Sequence, residues 1–240
     1  FQSILGTNQS SEDDEYRIQD FRNSVSVNGT LNKFSYLASF GNQFTDGLSA
    51  ISAGTESDPF NLINGNLKLG YKMSSSFKMN GYASFDRFKA DFDDAFSGID
   101  TDDLSRTKQY RIGIAPEFTY KKGSVTLNAA YNNVEREIFS SFPSQFNAHS
   151  YIGDVYNRYN FSDSFYTVLG VNAQESTMES FAIPFGDTDF AQSIDPNEAT
   201  FTIIDPYANV VYVSDFGLNV NAGARIKNHS EYGSHLVYSI

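Results

Sequence analysis

Residues 110–120 read YRIGIAPEFTY and residues 124–131 read SVTLNAAY, with Lys121-Lys122-Gly123 between them. Side chains alternate between the two faces of an extended chain. Each arm has about 11 residues, close to the ~9–11 that a tilted strand needs to cross a bilayer. One face is small and polar. The other is aliphatic with aromatic ends, and it carries Tyr110, Ile112, Ile114, Pro116, Phe118, Tyr120, Val125, Leu127, Ala129 and Tyr131. The stretch therefore predicts a hairpin between lipid and a wet lumen.

The rest of the chain repeats this hairpin. Short turns near Gly29, Ser75, Lys122, Asp163 and Asp215 alternate with longer connections. Every second connection of an up-and-down meander lies at the same end, so one rim carries short turns and the other long loops, as in outer-membrane barrels. The pattern predicts an all-β fold: an antiparallel up-and-down transmembrane β-barrel segment of about 12 strands, the first and last incomplete.

Some local features fit the strand pattern poorly. Pro116 lies in the middle of a predicted strand, where it removes a ladder hydrogen bond and suggests a bulge. The Asn-Gly dipeptides at 64–65 and 80–81 are typical of hairpin turns, yet they fall where the alternation requires strand. The Asn-Gly dipeptide at 28–29 is predicted to open the first short connection.

Composition excludes several classes of function. The 240 residues include 22 Phe and 15 Tyr but no Cys, so there is no disulfide framework and no thiolate site. The formal net charge of −12 argues against nucleic acid as a partner, because a phosphate backbone requires clustered Lys and Arg. No nucleophile elbow, phosphate loop or HExxH motif is present, and we predict that the chain is not an enzyme.

A long acidic loop is predicted between residues 91 and 107. Oxygen-rich loops bind Ca²⁺, and the spacing of the first acidic residues resembles such sites, although the stretch does not match the EF-hand pattern. The loop is therefore a candidate calcium site, and a solvated acidic loop is the alternative. The candidate ligands are Asp91, Asp93, Asp94, Asp100, Asp102 and Asp103.

Two predicted loops, residues 139–149 and 178–200, carry exposed aromatic residues. Aromatic side chains on loops need a partner, because exposed apolar patches are costly. They either cover a ligand above the lumen or pack against each other. The candidate ligand-binding residues are Phe142, Phe146, Phe181, Phe185, Asp187, Asp189 and Phe190.

Three stretches resemble the barrels of TonB-dependent outer-membrane receptors, especially the cobalamin- and siderophore-type receptors of Bacteroidetes-like bacteria. These are GARIKNHSEYGSH (223–235), DPFNLINGNLKLGY (58–71) and NFSDSFYTVLGV (160–171). The resemblance implies a 22-stranded barrel in the bacterial outer membrane, an N-terminal plug, a TonB box that engages an energy-transducing partner, and import of ferric siderophores or vitamin B12. It also implies that polar lumen residues meet the plug, namely Arg111, Glu117, Asn219, Asn221 and Arg225; simple hydration of a polar wall is the alternative.

The 240 residues are expected to be a fragment, since no plug, TonB box, signal peptide or terminal aromatic strand is recognised in them. Residues 1–240 are therefore expected to be a partial barrel domain, the extracellular loops of which contribute to ligand capture. A porin or a small barrel enzyme is one alternative. A soluble all-β binding module is another, and it requires the face of Tyr110, Ile112 and Ile114 to be buried against a second sheet.

Overall fold

The computed structural model describes residues 1–8, 17–49, 51, 57–94 and 98–240. In these ranges the chain forms strands and turns, and no helix is long and apolar enough to cross a membrane. The strands are β1 Gln2–Gly6, β2 Asp20–Leu31, β3 Phe34–Thr45, β4 Phe60–Lys72, β5 Phe77–Asp94, β6 Ile99–Tyr120, β7 Gly123–Phe139, β8 Ser144–Asn160, β9 Phe165–Ala182, β10 Ala191–Ile194, β11 Thr200–Val213, β12 Asn219–His229 and β13 Gly233–Ser239.

All of these strands belong to one antiparallel sheet. Twelve follow each other as neighbours in chain order from β1 to β13, and β10 pairs only with β9, outside that path. Each strand on the path therefore pairs with the preceding and following strand, as in a meander. The predicted all-β, up-and-down arrangement of about 12 strands is confirmed.

The sheet has one apolar face and one polar face. Ile112 pairs with Ala83 on β5 and with Tyr131 on β7, and Tyr131 pairs in turn with Tyr151 on β8, so one face continues from strand to strand. We call this the apolar face and the opposite one the polar face. The apolar face is uncovered: Ile112 is 58% exposed, and no described hydrophobic residue is buried. The soluble-module alternative requires a second sheet over this face, and the described residues form none.

The two rims of the sheet differ as predicted, but for a different reason. One rim, which we call the short-turn rim, has connections at 32–33, 73–76, 121–122, 161–164 and 214–218. At the opposite rim the strands themselves are long: β5 to β9 have 17 to 22 residues, about twice the ~9–11 that a bilayer requires. We call this the tall rim. Much of what the sequence predicted as loop at this rim is paired strand.

Two predicted loops are corrected by these strand bounds. The prediction of an acidic loop over residues 91–107 is wrong, since β5 continues to Asp94 and β6 begins at Ile99. The first aromatic loop is also wrong in length, because only residues 140–143 separate β7 from β8. In both places the ladder continues beyond the apolar segment, so the backbone groups of polar residues are paired with a neighbouring strand.

The residues that fit the predicted strand pattern poorly all lie inside strands of the sheet. The Asn-Gly dipeptides at 28–29, 64–65 and 80–81 all lie inside strands, so the predicted turn at 28–29 is wrong. The actual turn is Asn32-Lys33, with Asn32 in the left-handed region at φ 55°. Pro116 interrupts pairing with β7, but Ile114–Ala129 and Glu117–Thr126 keep one register. The predicted bulge is therefore absent at this ladder, although the predicted loss of pairing occurs.

Candidate functional site on the polar face

The five polar residues predicted to line a lumen share the polar face. Arg111 and Glu117 alternate with the exposed apolar residues of β6, and Asn219, Asn221 and Arg225 alternate with those of β12. The structure therefore places all five residues on one face, as predicted. Their contact with a plug stays a prediction.

Neighbouring strands pair the charges of this face. The Lys78 ammonium of β5 lies 3.1 Å from the Glu117 carboxylate of β6, and the two residues are directly opposite in the ladder. Arg111 Nε donates to Asn132 Oδ1 of β7 at 2.8 Å. Opposite charges and amide acceptors across a ladder stabilise a sheet by a few tenths of a kcal/mol to about 1 kcal/mol each. The polar face is thus a hydrogen-bonded wall in which side chains hold one another in place.

A denser cluster joins β8, β11 and β12. Tyr207 Oη donates to Asp154 Oδ1 at 3.1 Å, and Arg225 Nη1 lies 3.6 Å from Asp205 Oδ2. The Arg225 guanidinium is also 5.8 Å from the centre of the Tyr207 ring. Asp205 is 3% exposed, and its Oδ1 has no hydrogen-bond partner among the described residues. A buried carboxylate in this setting depends on Arg225 for charge compensation.

Sequence reasoning identified only Arg225 of this cluster. Tyr207 and Asp154 are 53 residues apart and belong to strands that are not neighbours, because β9 lies between them. Alternation places both on the polar face, and that is the only sequence signal that they carry. Their contact depends on the register of three strands, which the sequence pattern does not give.

Glycine residues allow tyrosine rings to lie flat on this face. The Tyr82 ring covers Gly113, and the Tyr207 ring covers Gly170; in both pairs a Cβ on the glycine would overlap the ring. An aromatic ring over a strand glycine shields the exposed backbone and compensates for the missing side chain. The pairs also hold the tyrosine hydroxyls close to the wall, where Tyr207 reaches Asp154.

The predicted ligand-binding residues are dispersed at the tall rim. Phe142 lies in the turn at 140–143 and is 84% exposed, and Phe185 is fully exposed in the connection at 183–190. Asp187, Asp189 and Phe190 belong to the same connection, where they are also exposed.

Phe146 and Phe181 are strand residues, so their prediction as loop residues is wrong. They also lie on opposite faces. Phe181 pairs with Gln145, which shares the apolar face with Tyr151, whereas Phe146 alternates onto the polar face. The structure therefore does not bring the predicted aromatic residues together, and their role in ligand binding stays a prediction.

The six predicted calcium ligands lie on β5 and β6. Asp93 accepts hydrogen bonds from the Thr101 amide at 3.2 Å and from Ser49 Oγ at 3.4 Å, and Asp91 lies 3.4 Å from the Lys89 ammonium. These carboxylates have protein partners. Across the described part of the chain, no three acidic or histidine side chains are grouped as a metal site would need. The calcium site stays a prediction.

The sheet is similar to the barrels of solved transport proteins. The RagAB peptide importer in its closed-closed state matches 91% of this chain and 33% of its own, with a TM-score of 0.69 and 13% identity. The siderophore receptor PirA from Pseudomonas aeruginosa matches 90% and 35%, with a TM-score of 0.64 and 16% identity. The ferric yersiniabactin uptake receptor FyuA from Yersinia pestis matches 92% and 40%, with a TM-score of 0.66 and 12% identity.

These likenesses concern shape rather than sequence. No family model matches the chain, and no curated protein matches it by sequence. The chain spans about a third of the length of the solved proteins reported above. At this level of identity the comparison identifies the fold, and it agrees with the antiparallel, two-faced sheet. The described chain has the fold of a segment of a TonB-dependent receptor barrel.

Proposed function

We propose that this chain forms part of the wall of a bacterial outer-membrane receptor that actively imports a scarce nutrient. The two-sided sheet carries this proposal. Its apolar face exposes Ile112, Ile114 and Leu127 without any cover, and its other face is a paired polar wall. An uncovered apolar surface of this extent is unfavourable in water and is stable against lipid. The fold of the solved receptors supports the same location.

The nutrient is proposed to be a ferric siderophore. The descriptions of two similar structures support this choice, since PirA is a siderophore receptor and FyuA is a ferric yersiniabactin uptake receptor. A peptide is the second candidate, on the likeness to the RagAB importer. Cobalamin, the other class that the sequence resemblance implies, is the third.

The chain contributes structure and recognition to this function, and no reaction. The polar face is proposed to contact a plug domain through Arg111, Glu117, Asn219, Asn221 and Arg225, with TonB engaged through the plug. The tall rim is proposed to face the exterior and to meet the nutrient. The short-turn rim is then periplasmic, as short turns are in barrels of this type.

Adjacent cysteine substitutions test the orientation of the wall. The chain has no cysteine, so Leu127→Cys and Asn128→Cys each introduce the first thiol into this segment. Leu127 lies on the apolar face and Asn128 on the polar face. In the complete gene product in native membranes, a charged maleimide should label Asn128→Cys and should label Leu127→Cys only after denaturation. Equal labelling of both variants in intact membranes would contradict the proposed contact with lipid.

Growth tests the transport activity. A strain that lacks the complete gene should lose growth on a ferric siderophore as sole iron source, and loss of TonB should have the same effect. Parallel cultures limited for peptide or for cobalamin assign the nutrient among the three candidates. Uptake that persists without TonB would favour a porin instead, and conductance of the purified protein in planar bilayers would then be measured.

A further inference from the structure

Two pairs of cations face each other on the apolar side of the tall rim. In the β5–β6 ladder Arg87 is directly opposite Lys108, and Lys89 is directly opposite Arg106. All four alternate with residues of the polar face. On both strands they lie beyond the apolar segment, on the side of the tall rim. We call them the cation patch. They form a compact basic surface on a chain with a net charge of −12.

Like charges at directly opposed positions are unfavourable, because no ion pair offsets their repulsion. At the other end of β5, Lys78 is also opposite a lysine, Lys72 of β4, but Glu117 of β6 lies opposite Lys78 on its other side at 3.1 Å and compensates its charge. An anion placed between the paired cations would remove the repulsion.

The protein supplies only part of that negative charge. Lys89 lies 3.4 Å from Asp91, and Lys108 lies 3.6 Å from Glu135. Arg106 rests over the Phe139 ring at 4.7 Å and is opposite Glu137 in the ladder. Arg87 is exposed and has no ion pair among the residues that the structure describes. Four cations thus share three carboxylates, and the uncompensated Arg87 lies in the pair that is nearer the apolar band.

The patch lies at the depth of lipid headgroups. Phe85 and Tyr110 end the apolar segments of β5 and β6, and Arg87 and Lys108 follow two residues later in the direction of the tall rim. Two strand residues span about 7 Å. The headgroup layer of one leaflet is about 5–7 Å thick, which is half the difference between a 40–45 Å bilayer and its ~30 Å hydrocarbon core.

A shallow apolar groove continues directly below the patch. It has a volume of about 560 Å³, and its lining includes the small residues Ala83 and Gly65, the latter covered by the Phe85 ring. Its apolar walls include Phe40, Leu67, Phe85 and Tyr110. A basic surface above an apolar groove is complementary to an amphiphile that carries an anionic head and acyl chains. Free phosphate would use only the upper part.

We propose that the cation patch binds the phosphorylated headgroup of an outer-leaflet lipid, with an acyl chain of the same lipid in the groove below. The phosphate oxygens accept charge-assisted hydrogen bonds from Arg87 and Lys108 and compensate the cation pairs. This inference rests on the proposed function, because it requires the apolar face to lie in a membrane. It adds a lipid site on the outside of the wall, away from the nutrient path.

Lipid retention by the complete gene product tests the inference. The protein is reconstituted in nanodiscs of phosphatidylcholine with 20 mol% phosphatidic acid as probe, released into detergent, and bound lipid is counted by native mass spectrometry. The double substitution R87Q/K108Q should weaken retention of phosphatidic acid about 30-fold, the factor that corresponds to about 1 kcal/mol for each cation removed. Ala83→Leu, which fills the groove, should weaken retention of the same lipid with the patch intact.

The control is K68Q/K72Q, which removes the same charge from exposed positions on the polar face of β4. It should retain phosphatidic acid as the unsubstituted protein does. Equal retention by R87Q/K108Q and K68Q/K72Q would overturn the inference, as would full displacement of the lipid by inorganic phosphate together with no effect of Ala83→Leu. Membrane fractionation of the unsubstituted protein is measured separately: a protein absent from the membrane refutes the proposed function, whereas an embedded protein with unselective lipid binding refutes only the lipid site.

Discussion

Tyr207 and Gly170 are directly opposite in the β11–β9 ladder, and the Tyr207 ring occupies the space that a side chain at position 170 would need. A Cβ at Gly170 would lie 2.5 Å from Tyr207 Cζ and 2.8 Å from Tyr156 Cβ. The ring could turn away, but Tyr156 Cβ is fixed to the backbone of β8. The glycine is therefore required by its neighbours on both sides.

Gly170→Ala should destabilise the folded wall by about 1–3 kcal/mol, the usual cost of adding a methyl group to a packed site. Urea unfolding of the complete protein in lipid vesicles measures the change. Gly153→Ala is the matched control, because a Cβ at Gly153 meets nothing within 4 Å. If both variants unfold at the same urea concentration, the ring does not rest on Gly170.

Arg225→Ala should leave the Asp205 carboxylate buried without its cation. An unsatisfied buried polar group costs about 1–3 kcal/mol, and more when it is charged. The double variant R225A/D205N should recover most of that loss, because the amide carries no charge to compensate. Lys78→Ala serves as a comparison: its partner is more exposed, so a loss of at most about 1 kcal/mol is expected. Unfolding midpoints that are the same for Arg225→Ala and R225A/D205N would show that Asp205 does not depend on Arg225.

Ile114→Arg should impair assembly into the outer membrane. Ile114 lies midway between Tyr110 and Phe118 on the apolar face and is 47% exposed. Arginine at the bilayer midplane of a barrel costs about 2–4 kcal/mol. The folded fraction in outer membranes, measured by heat-modifiable electrophoretic migration, should fall.

The control for Ile114→Arg introduces the same residue on the other face. Asn128→Arg adds a cation at an exposed polar-face position that is opposite the Asp154 carboxylate. It should assemble normally. Equal impairment of the two variants would mean that the two faces have the same surroundings, contrary to the proposed location.

Asn32→Val should destabilise the first hairpin by about 1–2 kcal/mol, because a β-branched residue is strained at the positive φ of 55°. Asn32→Gly should stay within a few tenths of a kcal/mol of the unsubstituted protein, since glycine adopts this conformation freely. Unfolding midpoints of the two variants make the comparison. A valine variant as stable as the glycine variant would place the turn elsewhere.

Alternation made the faces of the membrane-height segments predictable. Ile112, Ile114 and Leu127 repeat at period two, and this period places them on one face whatever the register of the sheet. The polar partners Arg111 and Glu117 follow by parity. The meander was predictable for a similar reason, since short and long connections alternate along the sequence.

The ends of the strands were not predictable in the same way. Residues 99–109 of β6 are mostly polar on both faces, so they carry no apolar alternation and resemble a loop. At Gly29 a glycine in a strand was predicted to lie in a turn. It resembles a turn residue, but it stays in β2, where a Cβ would lie 2.7 Å from the hydroxyl of Tyr36 on the next strand. The contact between Tyr207 and Asp154 required a register that no single strand encodes.

If the tall rim receives a nutrient as proposed, its extended strands have a consequence for that step. Backbone ordering costs about 1–2 kcal/mol for each residue fixed. In β5 to β9 this conformational entropy is lost when the chain folds and not when a molecule binds, because the residues beyond bilayer height are already paired in the ladder. Under the proposed function, an arriving molecule would meet a rim of paired strands, joined by connections such as 140–143 and 183–190 in the described part of the chain. Selection by such a rim would then depend mainly on its shape and charge at first contact, with little closure afterwards.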